Sequence, residues 1–246
     1  IAASSFHSLL WRTASGWVRK TLAIAELELR KLRHDPTELV TRAVQPALWL
    51  LLFGQVFGNL RGTGTANYKE FLAPGILAQS VLFIAIFHGI AVIWERDLGI
   101  VHKFLVTPTP RVILVLGKAV SAGVPAQSQV VIVYGLAWII GVRLNWHPAA
   151  LGGVVVTVLL GAAIFSTFSL AIACLVKTRE RFMGIGQVLT MPLFFASNAI
   201  YPISLMPPWL RHVAHLNPLT YEVDALRGLM LAEGASQYGI ACDLGV

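Results

Sequence analysis

Charge is scarce in this chain, and some long stretches have almost none. Only 13% of the 246 residues are Asp, Glu, Lys or Arg, against about 25% in soluble domains. Acidic residues are the rarer sign, 12 against 19 basic ones. Two apolar runs, Leu72–Trp94 and Val112–Val142, hold no acidic residue, and Lys118 is their single base. Each is longer than the roughly 20 apolar residues a bilayer crossing needs. With 56% hydrophobic residues and a mean hydropathy of +0.71, the composition defines an integral membrane protein.

Other absences exclude chemistry. The two cysteines, Cys174 and Cys242, lie in apolar contexts with no second Cys or His at metal-ligand spacing. They read as small buried hydrophobes rather than as a disulfide or metal site. No phosphate cradle can form, because Gly117-Lys118 is followed by Ala119 and Val112 stands where the first glycine belongs. No HExxH, GxSxG or dinucleotide fingerprint occurs. Of the seven histidines only His212 and His215 are close, at i,i+3, and they read as structural. Carriers driven by protons or sodium place titrating groups mid-membrane. Here the spans offer His88, about two turns before Glu95 and so near one edge. It reads as a hydrogen-bonded, inward-facing residue. Lys118, two turns from Arg111, can snorkel to the headgroups. A carrier with neither an ion site nor an ATP site takes its energy from a partner.

What is present is a polar island, Glu95–Arg111, between those two runs. From Asp97 to Leu105 it reads as a short amphipathic helix, halted by Pro108 and Pro110. A helix held at the membrane surface between two spans is a handle for another protein to push. An ordinary loop helix lying on lipid is the plain alternative.

Upstream, 16–34 is a basic amphipathic segment. Val18, Leu22, Ala25, Leu29 and Leu32 form one face, and Arg19, Glu26, Arg30 and Arg33 another. Such a helix lies in the membrane interface. The expected fold is all-α and polytopic, a single permease domain over 1–246. Spans are expected at 41–60, 72–94, 112–142, 149–176 and 183–203. Pro125 is expected to kink the third, with Gln127 and Gln129 near the kink. The segment 204–230 is too polar to cross and too apolar to lie free in water. It reads as short re-entrant helices packed on protein. Residues 238–246 read as the start of a sixth span that is largely missing.

Orientation follows from Lys and Arg. With the N-terminus in the cytoplasm, fourteen bases fall on the inner side and five on the outer. That bias fixes the N-terminus and the island as cytoplasmic, and it accounts for the net charge of +7 without nucleic acid.

The island residues Glu95-Arg96, Gly99, Leu105 and Pro108 resemble the coupling segment of type-2 ABC exporter permeases. The C-terminal run Tyr201-Pro202, Leu205–Trp209, His215–Pro218, Tyr221 and Arg227 resembles that family's terminal signature. Met206 stands where the family usually has Leu. The resemblance implies a six-span half-transporter that forms a homodimer in a bacterial inner membrane. Each subunit works with a separate ABC ATPase, two copies in all. No cofactor belongs to this chain; ATP and magnesium sit on the partner subunit. The island residues Glu95, Arg96, Asp97, Gly99 and Lys103 would contact that ATPase. Beside them stand the face Glu26, Arg30 and Arg33 and the turn bearing Lys177 and Arg179. The outer gate would comprise Tyr201, Pro202, Asn217, Pro218, Tyr221 and Arg227. Phe53, Phe83, Phe87, His88, Gln127 and Gln129 are candidates for the translocation path, suited to an amphiphilic drug or lipid. Packing is the commoner role for such aromatics.

Three other readings remain at this stage. One is a permease for a lipid-linked polysaccharide. Another is a membrane-embedded transferase using Glu222, Asp224, His212 and His215, although Asp224 and Arg227 are spaced to pair. The third is a scaffold without transport.

Overall fold

The computed structural model describes residues 36–56, 68–99, 111–176, 178–232 and 239, with side chains described from 43 in the first helix and from 122 in the third. The chain divides into two compact units, Ile1–Val40 and Thr41–Val246. Of the first, only 36–40 is described, as the opening turn of a helix. The interfacial segment 16–34 and most of the island, 100–110, lie outside the described residues.

Seven α-helices are described: α1 Pro36–Val56, α2 Tyr68–Asp97, α3 Arg111–Ile139, α4 Pro148–Leu175, α5 Arg179–Phe195, α6 Pro208–Leu216 and α7 Pro218–Met230. A short 3-10 turn, Ile203–Leu205, precedes α6. The single β pairing among the described residues is an isolated bridge between Leu144 and Leu231. Helices α2, α3 and α4 are long and apolar enough to cross a membrane.

Proline and glycine set most of the ends. Pro148, Pro208 and Pro218 each open a helix, where the missing N–H is no loss. Helix α3 stops where Gly141 takes φ +85°. The Val142 amide there bonds back to the Ala137 carbonyl at 2.9 Å, which satisfies an end carbonyl. Helix α2 stops at Gly99, φ +70°, with the Leu98 amide on the Trp94 carbonyl at 3.0 Å. Its last turn therefore includes Glu95, Arg96 and Asp97. Asp97, read as the first residue of a separate helix, lies in the last turn of α2; the rest of that expected helix lies outside the described residues.

Two further boundaries differ from the sequence reading. The compact turn 177–181 is partly helical: Thr178 caps α5, accepting from the Arg181 amide at 3.4 Å. The expected span 183–203 breaks at Phe195. There the chain passes into turns in which the Ser197 hydroxyl bonds the Phe194 carbonyl at 2.7 Å. Ser and Asn compete with helix in just this local way.

The core lies among α2, α4 and α7. Leu72, Ile76, Leu77, Val81, Leu82 and Ile86 of α2 meet Val154, Val158 and Ala162 of α4 and Leu219, Val223 and Leu226 of α7 in one apolar cluster. Helix α2 is buried on most sides, as befits a helix apolar all round. The outward faces remain apolar too: Leu52, Val131, Ile139, Ile164, Phe168 and Val188 are exposed. Surfaces of that kind belong against lipid or another protein.

Candidate functional site

The end of the bundle where α2 leads into the island is held by a small set of residues. Arg96 Nη1 donates to the carbonyls of Ala173 (3.3 Å) and Val176 (3.1 Å), and Nη2 to Val176 (3.1 Å). These are end carbonyls of α4, unsatisfied within the helix, and a cation there also suits the helix dipole. Asp97 pairs with Arg179 at 3.1 Å, and the Arg179 guanidinium lies 3.7 Å over the Trp94 ring. Below them Ile93, Ala173, Val176 and Phe182 form a second apolar cluster. The helices come close because Gly89 lacks a side chain. A Cβ there would stand 2.6 Å from Phe182 Cζ and press on the Ser169 hydroxyl, which donates to the Ile86 carbonyl of α2. The root of the island is thus keyed to the α4–α5 junction.

Of the expected coupling residues, Arg96, Asp97 and Arg179 come together here, and Glu95 and Gly99 lie beside them. Lys103, Lys177, Glu26, Arg30 and Arg33 fall outside the described residues.

The expected path residues are distributed over α1, α2 and α3. Phe83 and Phe87 stack on α2 with centroids 6.1 Å apart, and both are half-buried, as is His88. Phe53 stacks on Trp49 at 4.5 Å in α1. Gln127 donates to the Val155 carbonyl at 3.1 Å, tying α3 to α4. Gln129 is 2% exposed.

The opposite end is tied as closely. Asn217 caps α7, accepting from the Leu219 amide at 3.0 Å. Its amide group donates to the carbonyls of Leu193 (2.7 Å) and Ala196 (3.3 Å). Arg227 donates to the Asn198 carbonyl at 3.0 Å, lies 4.0 Å over the Phe71 ring and stands 3.9 Å from Asp224. Tyr201 donates to the Phe195 carbonyl, and Tyr221 to the His215 carbonyl at 2.8 Å. Pro202 precedes the 3-10 turn and Pro218 opens α7. Two members of this cap were not singled out from sequence: Tyr68, donating to the Ile200 carbonyl at 2.9 Å, and Gly75, whose missing side chain admits the Ala199 backbone. A tyrosine four residues before the apolar run is the one cue to the first.

His212 and His215 are exposed, whereas Glu222 and Asp224 are buried on different sides of α7. No group of three His, Cys, Asp or Glu placed to hold a metal occurs among the described residues.

These features describe a bundle with lipid-type outer faces, a keyed polar root at one end and a tied cap at the other, which is the build of a membrane transport permease. The chain belongs to the ABC-2 type transporter family, whose model matches residues 19–231. It is 28% identical over 225 residues to the putative transport permease ycf38 of Cyanophora paradoxa, covering 88% of this chain and 76% of that one. It is 23% identical over 214 residues to the daunorubicin resistance ABC transporter permease protein DrrB1 of Streptomyces coeruleorubidus, covering 87% and 75%. It is 26% identical over 199 residues to the inner membrane transport permease YadH of Escherichia coli K12, covering 76% and 75%.

Proposed function

We propose that this chain is the membrane subunit of an ATP-driven exporter, working as a homodimer with two separate ABC ATPase subunits and moving an amphiphilic drug- or lipid-like cargo. Six crossings, a cytoplasmic N-terminus and re-entrant outer helices complete this reading. The observation that carries it is the keyed inner end. A push on the island enters α2 at Arg96 and Asp97 and passes directly to the ends of α4 and α5. Rigid helices coupled in this way move as a body, as alternating access requires. Ties at the outer end then resist or release as the helices rock. The relative named for daunorubicin resistance supports an amphiphilic cargo. The transferase reading loses ground, because the carboxylates and histidines it needs do not face one another.

The test is ATP hydrolysis by the reconstituted complex. Replacing Glu95 and Asp97 together with Ala abolishes its stimulation by cargo. Since Asp97 holds Arg179, Arg179→Ala serves as the control: it should reproduce only the part that arises from the ion pair. Full stimulation in the double variant would remove the island from the mechanism.

A further inference from the structure

Glu222 lies in the second turn of α7, on the face turned to α4. It is 7% exposed, and both carboxylate oxygens are buried without a hydrogen-bond partner. A Cβ on Gly161 of α4 would stand 2.6 Å from its Oε2, so the carboxyl rests directly against the α4 backbone. The niche exists because residue 161 has no side chain.

Among the described residues no cation faces this niche. Helix α4 carries no charged residue from Pro148 to Leu175. On α7, Arg227 is turned to Phe71 and Asn198, with Asp224 beside it. From α2, Tyr68 donates to Ile200, Lys69 is half-buried, and Glu70 stands 4.0 Å from Arg143. From α6, Arg211 is occupied by the Ser204 and Met206 carbonyls, while His212 and His215 are exposed. An ionised carboxylate in such surroundings is strongly disfavoured, and the group takes up a proton instead. Helix α7, at 13 residues, is too short to span the membrane. Burial pushes the Glu222 carboxyl well above the ordinary carboxylate range.

We propose that Glu222 is a proton-binding site of the outer cap, holding a proton while α7 lies on α4 and releasing it to water when the two helices part. The binding half stands on the geometry alone. The release half rests on the export reading, in which the cap opens.

The sign follows from linkage. The closed cap binds the proton more tightly than the open one, so acid favours closure and alkali favours opening. One proton released per opening changes the open-to-closed ratio at most tenfold per pH unit. Glu222→Gln, neutral at every pH, removes that dependence.

Two measurements on the full chain in lipid vesicles test this. In infrared difference spectra at neutral pH, wild type minus Glu222→Gln, a protonated carboxyl band should appear with no matching carboxylate band. A carboxylate band overturns the proton site. So does a Glu222→Gln chain that no longer folds, because an amide has nearly the shape of a neutral acid but not its charge when ionised. With the ATPase present, transport by wild type should rise as the outer pH rises, and transport by Glu222→Gln should not. Parallel pH profiles overturn the release step. Loss of all transport with any ATPase, with the infrared band intact, would sink the export reading and leave the proton site standing.

Discussion

Replacing Gly75 with Ala sets two physical effects against each other. Gly75 lies inside α2, where Ala is better by about 1 kcal/mol on helix propensity alone. Packing predicts the reverse. The added Cβ would stand 2.8 Å from both C and Cα of Ala199, with the Ala199 carbonyl oxygen nearer still. These are backbone atoms and cannot swing away. Restoring ordinary carbon contacts of about 3.5–4.0 Å needs a shift of roughly 1 Å. Ala199 sits between the carbonyls of Asn198 and Ile200, which accept from Arg227 and Tyr68. Overpacking contributes roughly 1–3 kcal/mol of destabilisation. Weakening the two bonds adds about 1–4 kcal/mol, mostly from the charged donor. Against the helix gain, the net loss is about 1–6 kcal/mol. Denaturant titration of the purified chain in detergent reads it as a lower midpoint. Gly135→Ala in α3 is the matched control, because nothing lies within 4 Å of its added Cβ. It should raise the midpoint by up to about 1 kcal/mol. If Gly75→Ala stabilises the chain as Gly135→Ala does, the close approach to Ala199 is not there.

The other two predictions concern the ties at each end. Asn217→Ala removes the α7 cap and leaves the Leu193 and Ala196 carbonyls without their donor. It should destabilise by about 2–4 kcal/mol in the same titration, and a shift under 0.5 kcal/mol would refute the tie. At the island end, Asp97 and Arg179 are 42% and 34% exposed. A double-mutant cycle to Ala should therefore give a coupling of only about 0.2–1 kcal/mol, weakened further by salt. A coupling above 2 kcal/mol would mean the pair is buried.

Much of the framework was legible because local chemistry sets it. The charge-poor runs mark α2, α3 and α4. The island was visible as polar residues between apolar runs, and Asp224–Arg227 as an i,i+3 pair. What stayed hidden depends on approach between distant segments. Arg96 finds its acceptors 77 and 80 residues away, and nothing local to Arg96 marks them. Gly75, Gly89 and Gly161 stand among 21 glycines. Only the neighbours each admits separate them from Gly135, which admits none. Glu222 was noticed in the sequence as a carboxylate, and its isolation is a property of the helix packed against it.

Most of the ties at both ends share one trait. Arg96, Asn217, Tyr68, Tyr201, Tyr221 and Arg227 all donate to main-chain carbonyls. Every residue type brings such an oxygen, so exchanging the side chain at Val176, Leu193, Asn198 or Ile200 leaves the acceptor in place. Half of each tie is thereby insulated from sequence drift. A chain built this way can vary the surface it offers to cargo or lipid while its two ends stay fastened.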